Sequence, residues 1–193
     1  KMPISVYIDN NVWDLLFELK IDLSTELPDD EFRLCLTREA EFEIPPIPDE
    51  KIELKKFIID SIERARVKTV PFFGFYDENL AASEQRFAGF DKGVFAEESQ
   101  AKFIKHQCDK KKDEEEKNKG GKDKKRPTGL FKDEADIAIA SRSLIDVIIT
   151  LDTKNGPIRY AYQEGGCVVY LNEFKQSHLS LSDFIKSMIA NRK

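Results

Sequence analysis

The 193-residue sequence is poor in the residues that usually build metal and redox sites: three cysteines, two histidines, two methionines and one tryptophan. Cys35, Cys108 and Cys167 are odd in number and far apart, with no CxxC pair. That excludes a disulfide framework and points to a reducing compartment. His106 and Cys108 are the one close His/Cys pair, so a structural zinc site has too few ligands. No apolar run approaches the length of a transmembrane helix, and Lys1-Met2-Pro3 leads straight into a strand-like segment without a signal-peptide pattern. The expectation is a cytoplasmic protein with no membrane partner. An excess of positive charge is also missing. The formal net charge is -5, so contact with a polyanion needs a local basic patch or a bound metal ion.

Hydrophobic residues make up 40% of the chain and charged residues 35%, which supports a real core beneath a charged surface. Ile4 to Ile8 is a β-branched and aromatic run suited to a buried strand. Val12 to Lys20 carries apolar residues at helical spacing. Arg33 to Leu36 reads as a second strand and Thr37 as the N-cap of a helix that stops near Ile44, before Pro45 and Pro46. Asp49 to Arg66 reads as a longer helix buried through Ile52, Phe57, Ile58, Ile62 and Ala65. Val67 to Val70 fits a third strand. Farther on, Ala135 to Ile145 is a helix, Val147 to Thr150 a buried strand, and Pro157 to Glu164 a helix with Gly165 and Gly166 at its end. Cys167 to Leu171 is a last strand and Ser182 to Asn191 a closing amphipathic helix. This alternation predicts an α/β fold in three layers, α/β/α, with a mostly parallel sheet of about five strands. One domain spans residues 1–193, with an insertion in its middle. Residues 72–108 are rich in Phe and read as one or two short helices. Residues 109–127 read as a charged, flexible loop: Asp109 to Arg126 holds 15 charged residues out of 18, nine positive and six negative.

In an open parallel sheet, ligands bind beyond the carboxyl ends of the strands where strand order reverses. Asp9 ends the first strand, Asp152 follows the fourth, and Asp136 lies in the first turn of the helix leading into the fourth. These acids can meet at one edge. Carboxylates so placed repel one another and suit a hard divalent cation, Mg²⁺ or Mn²⁺, which lowers the pKa of a bound water. Asp133 reads as the cap of the helix that carries Asp136.

Three segments carry a family resemblance. Val6-Tyr7-Ile8-Asp9-Asn10-Asn11-Val12-Trp13 resembles the opening motif of PIN-domain nucleases, an apolar strand ending in Asp-x-Asn-Val. Asp133-Glu134-Ala135-Asp136-Ile137-Ala138-Ile139-Ala140-Ser141 is similar to the third motif, and Ile148-Ile149-Thr150-Leu151-Asp152 to the fourth, Thr-x-Asp after a buried strand. The resemblance covers residues 4–66 and 128–172. It implies a PIN-like domain that hydrolyses phosphodiesters, usually in RNA, with a carboxylate-bound Mg²⁺ or Mn²⁺. Bacterial toxins of toxin–antitoxin pairs are the commonest small members, so RNA, an antitoxin protein and a homodimer are the expected partners.

The second motif places a Glu in the helix after the second strand. Here Glu43 is preferred, with Glu39, one turn earlier, as the alternative. The resulting catalytic and metal-binding set is Asp9, Glu43, Asp136 and Asp152. Arg38, Asn11, Thr150 and Lys154 flank it as candidates for substrate contact, with Arg142 also nearby. Asn11 can equally hold the loop that presents Asp9, and Thr150 can equally satisfy backbone. The competing reading is a catalytically degenerate PIN-like module that binds nucleic acid or serves as a scaffold. A phosphorylated receiver and an Asp-x-Asp phosphatase are disfavoured, because Asn10 and Asn11 stand where further acids are needed.

Overall fold

A computed structural model describes residues 2–117 and 127–192. Five parallel strands form one sheet in the order β3-β2-β1-β4-β5, with β1 at Ile4–Ile8, β2 at Phe32–Leu36, β3 at Lys68–Thr69, β4 at Val147–Thr150 and β5 at Cys167–Tyr170. Every pairing is parallel. Helices cover both faces, so the fold is a three-layer α/β/α domain.

The strand residues sort by the two-residue period of a pleated strand. Val6, Ile8, Leu34, Leu36, Val147, Ile149 and Val169 join one core cluster. Tyr7, Cys35, Ile148 and Val168 join the other. The first cluster is closed by α1 (Val12–Glu18), α2 (Leu23–Glu26), α4 (Ile52–Arg64), α8 (Phe174–Ser177) and α9 (Leu181–Ala190). The second is closed by α5 (Glu98–Lys117), α6 (Glu134–Arg142) and α7 (Pro157–Gln163). Short α3 (Arg38–Phe42) runs from the end of β2, with the Thr37 hydroxyl accepting from Ala40 N at 3.1 Å. Gly165 follows the Glu164 C-cap of α7, and its φ of +91° suits glycine.

Several expectations change in detail. The helix after Thr37 stops at Phe42, so Glu43 caps it instead of lying inside. The helix expected over Asp49 to Arg66 starts with a 3-10 turn, Asp49–Lys51. Its buried residues are Leu54 and Ile58, while Ile52 stays exposed. Asp133 sits at the N-cap of α6 in the left-handed region, φ +62°, and makes no side-chain cap hydrogen bond. Glu134 accepts from Phe131 N instead, at 2.8 Å.

The largest correction is in the insertion. Residues 109–117, expected as part of a flexible loop, continue α5. The remainder of that expected loop, 118–126, lies outside the described residues. Helix α5 is a structural part of the third layer. Phe103 is buried with Ile139, Ala140 and Ile158, and Ile104 packs beside it. The least exposed α5 positions are 100, 103, 104, 107 and 111, a helical stripe. Gln100 anchors its start by donating to Ser141 O at 3.3 Å. Upstream, the expected short helices reduce to one 3-10 turn, Ala82–Glu84, and two isolated bridges, Phe72 to Val94 and Phe73 to Ala88. Phe75, Phe87, Phe90 and Phe95 are exposed there.

Candidate metal centre

The chain runs outward from β1 to β2 and β3, then returns to place β4 on the other side of β1. The reversal therefore falls between β1 and β4, the position where open α/β sheets form their ligand crevice. Asp9 extends this pairing by donating its backbone N–H to Ile149 O at 3.1 Å.

A polar network locks the two strand ends together. Asp9 Oδ2 accepts from Thr150 Oγ1 and from Asn11 Nδ2, each at 2.6 Å. Asn11 Oδ1 accepts from Leu151 N at 2.9 Å, and Thr150 Oγ1 accepts from Asp152 N at 2.9 Å. Asn11 stands at the N-cap of α1 yet makes no cap bond, because its amide spans the two strands. The Thr-x-Asp sequence thus has a geometric purpose: the threonine holds one acid and positions the next. Asn10 supplies the third link. Its Nδ2 donates to Glu43 Oε2 at 2.6 Å and to Ala40 O at 2.9 Å, tying Glu43 to the end of β1.

The four acids act on one another through charge. Asp9 is pushed up to about 6, by burial first, against the bonds from Thr150, Asn10 and Asn11, with the charge of Glu43 adding to the rise. Asp136 is also pushed up to about 6, by burial and then by Asp9, Asp133, Asp152 and Glu43. Glu39 belongs to a different neighbourhood. Burial raises it to about 7, and its charged neighbours are Glu134, Arg142 and Arg86. Between the two glutamates, Glu43 shares a field with Asp9 and Asp136.

Asp133, Asp136 and Asp152 line a cavity of about 630 Å³ bounded by α5, the start of α6, the β4–α7 loop and α7. Its walls also carry Lys110, Lys111, Lys132, Lys154 and Arg159. All-oxygen donors of this kind suit Mg²⁺ or Mn²⁺ better than zinc or copper, so the chemistry of the acids fits the expected ion. Among the described residues, no three His, Cys, Asp or Glu side chains are gathered as a ready-made metal-binding group.

The residues expected to touch substrate divide. Lys154 lies on the cavity wall. Thr150 is fully buried and engaged with Asp9, so it has no surface to offer a substrate. Asn11 is likewise committed to Asp9 and Leu151. Arg38 turns into the insertion, donating to Gln85 O at 3.1 Å and Ser83 O at 2.9 Å and pairing with Glu41. Arg142 is buried, with Nη2 donating to Val70 O at 2.7 Å and its guanidinium 3.5 Å from the Phe72 ring centroid. His106 stacks on Tyr160 with centroids 5.3 Å apart.

Sequence reading missed Asn10 and the cations of α5 and α7. Asn10 had a visible signal, since three consecutive polar residues directly after a buried strand each need a reason. Lys110, Lys111, Lys132 and Arg159 had none: no sequence pattern shows which lysines of a charge run face inward, or that Lys132 and Arg159, outside that run, share their cavity. In comparison with known proteins, no family model, curated protein or solved structure matches the chain.

Proposed function

We infer that this protein is a metal-dependent endoribonuclease of the PIN-domain kind. The observation that supports it most is that Asp9 stands at the β1–β4 switch point and that the charges of Asp9, Asp152 and Glu43 all act on Asp136. A bound Mg²⁺ or Mn²⁺ supplies a water of lowered pKa and stabilises charge on a phosphate under attack. Asp9, Asp136 and Glu43 are the principal ligands in this reading, and Asp152 an outer one. Asn11 and Thr150 fix the Asp9 carboxylate, and Asn10 fixes Glu43, so each acid holds its place before substrate arrives.

The test is cleavage of end-labelled RNA with Mn²⁺ or Mg²⁺, comparing wild type with Asp9→Asn and Asp136→Asn. Wild type is expected to cut, and each variant to lose at least about a hundredfold in rate. Equal cutting by all three proteins sinks the assignment. The scattered arrangement of the acids favours a second reading, a degenerate module that binds nucleic acid without cutting it. RNA binding with no metal-dependent cleavage by wild type selects that alternative.

A further inference from the structure

We propose that α5 is one wall of a nucleic-acid phosphate-binding cleft, in which Lys110 and Lys154 hold backbone phosphates beside Asp136 and Asp152. The choice of nucleic acid as ligand rests on the nuclease reading; the cleft itself rests on where the cations lie. Five of them, Lys110, Lys111, Lys132, Lys154 and Arg159, line the same cavity as Asp136 and Asp152. They come from α5, the approach to α6, the β4–α7 loop and α7. Four separate parts of the sequence thus deliver five cations to a cavity that also carries Glu114, Asp133, Asp136 and Asp152. A cluster of acids alone repels a polyanion, and local positive potential at its rim is what lets a phosphate approach.

The layout of α5 distinguishes this from an ordinary solvated charge run. Its packing stripe begins with Gln100, Phe103 and Ile104 against the second core cluster. The same face continues to Gln107 and Lys111, now at the cavity. Lys111 is half-buried there, and its ammonium donates to the Lys132 carbonyl. Lys110 and Glu114 flank it on the wall. Lys102, Lys105 and Lys112 are exposed, and none of them lines the cavity. Among the described α5 lysine side chains, Lys110, itself exposed, and Lys111 thus differ from the other three in lining the cavity. A cavity of about 630 Å³ is within the size range of pockets that enclose a small ligand, enough to take a phosphate with part of its nucleotide.

The experiment uses the full chain and short, 5′-labelled single-stranded RNA and DNA oligonucleotides. Binding is followed by fluorescence anisotropy in EDTA over a salt series. Lys110→Gln/Lys154→Gln is compared with Lys102→Gln/Lys105→Gln, which removes the same charge from the outer face of α5. Thermal melts confirm that both variants fold. The cleft variant is expected to lose at least about tenfold in affinity, and its salt slope to fall by about 1.4, two contacts at about 0.7 each for a single strand. The outer variant stays within about twofold of wild type. Equal losses in both variants, or no loss in either, overturn the cleft. RNA bound more tightly than DNA identifies RNA as the ligand; equal binding identifies the shared phosphate chemistry.

A cleavage arm with Mn²⁺ separates the two claims. If wild type binds in a Lys110- and Lys154-dependent way but never cuts, the cleft stands and the nuclease reading fails. If wild type cuts and the cleft variant matches it in both binding and KM, the nuclease reading stands and the cleft fails.

Discussion

Asp9 and Asp136, each raised to about 6, are acids that the fold holds at a cost. A carboxyl raised above its unfolded value favours folding in its neutral form. Its stabilising effect is complete below the unfolded pKa of 3.8 and is lost as pH rises through about 6. Glu39, raised to about 7, extends this window upward. The metal-free protein is therefore expected to melt at lower temperature near pH 7.5 than near pH 5, by calorimetry in EDTA. Asp136→Asn removes one of these charges while keeping the shape. It is expected to raise stability by about 1–2 kcal/mol near pH 7.5, with the gain closing as pH falls to about 4. A melt unchanged by pH and by this substitution contradicts the cost of holding these acids buried and beside one another. Asn11→Ala acts in the opposite sense. It strips Asp9 of one donor and leaves Leu151 N without its acceptor, so denaturant unfolding should show a loss of about 1–3 kcal/mol.

Among the elements, those buried on one principle were legible and those buried on two were not. Strands β1 and β4 are nearly continuous apolar runs, and their boundaries follow from composition alone. Helix α5 defeats that rule. Its stripe passes through Gln100, Gln107 and Lys111, so the helical period is present in burial and absent in hydrophobicity. Arg86 and Arg142 look in sequence like ordinary surface cations. Each proves to be a clasp. Arg86 donates from Nε to Glu134 at 3.0 Å and from Nη2 to Gly129 O at 2.8 Å, with its guanidinium 5.0 Å from the Phe42 ring centroid. It joins the Phe-rich segment to the start of α6 and to α3. Arg86→Met should cost about 1–3 kcal/mol by removing charge-assisted bonds to a half-buried partner. Amide hydrogen exchange should quicken over residues 84–94 and at the start of α6, while β1 and β4 keep their protection. Uniform exchange across the chain would show that the clasp is not local.

At the scale of the whole molecule, the proposed site depends on the pairing of β1 and β4 across the switch point. Asp9 and Glu43 come from the first quarter of the chain, Asp136 and Asp152 from its last third, and the β1–β4 pairing brings both halves to one edge. The placement of those acids at the strand ends was legible in the sequence, because each follows or precedes a recognisable buried strand. The opposing basic wall was illegible, since it depends on the rotation of α5 about its own axis. The molecule thus holds partly buried acids of like charge near one sheet edge, and a divalent cation bound there should act as a stabiliser. A ligand bound to the folded state alone, at a hundred times its Kd, adds about 2.7 kcal/mol of stability. For a domain of this size that is about 5–10 °C in melting temperature. Near pH 7.5, Mn²⁺ should therefore raise the melting temperature of wild type by this amount. Near pH 5, protons compete at Asp9 and Asp136, whose values lie at about 6, and the shift should shrink. Asp136→Asn should begin more stable and gain little from the ion, whereas Lys102→Gln, on the outer face of α5, should respond as wild type does. Two effects that oppose each other at one residue, relief by substitution and relief by metal, separate a carboxylate metal site from general binding of cations to an acidic surface. If Asp136→Asn and wild type gain equally from Mn²⁺ at both pH values, the ion binds elsewhere and the acids at the switch point are not its ligands.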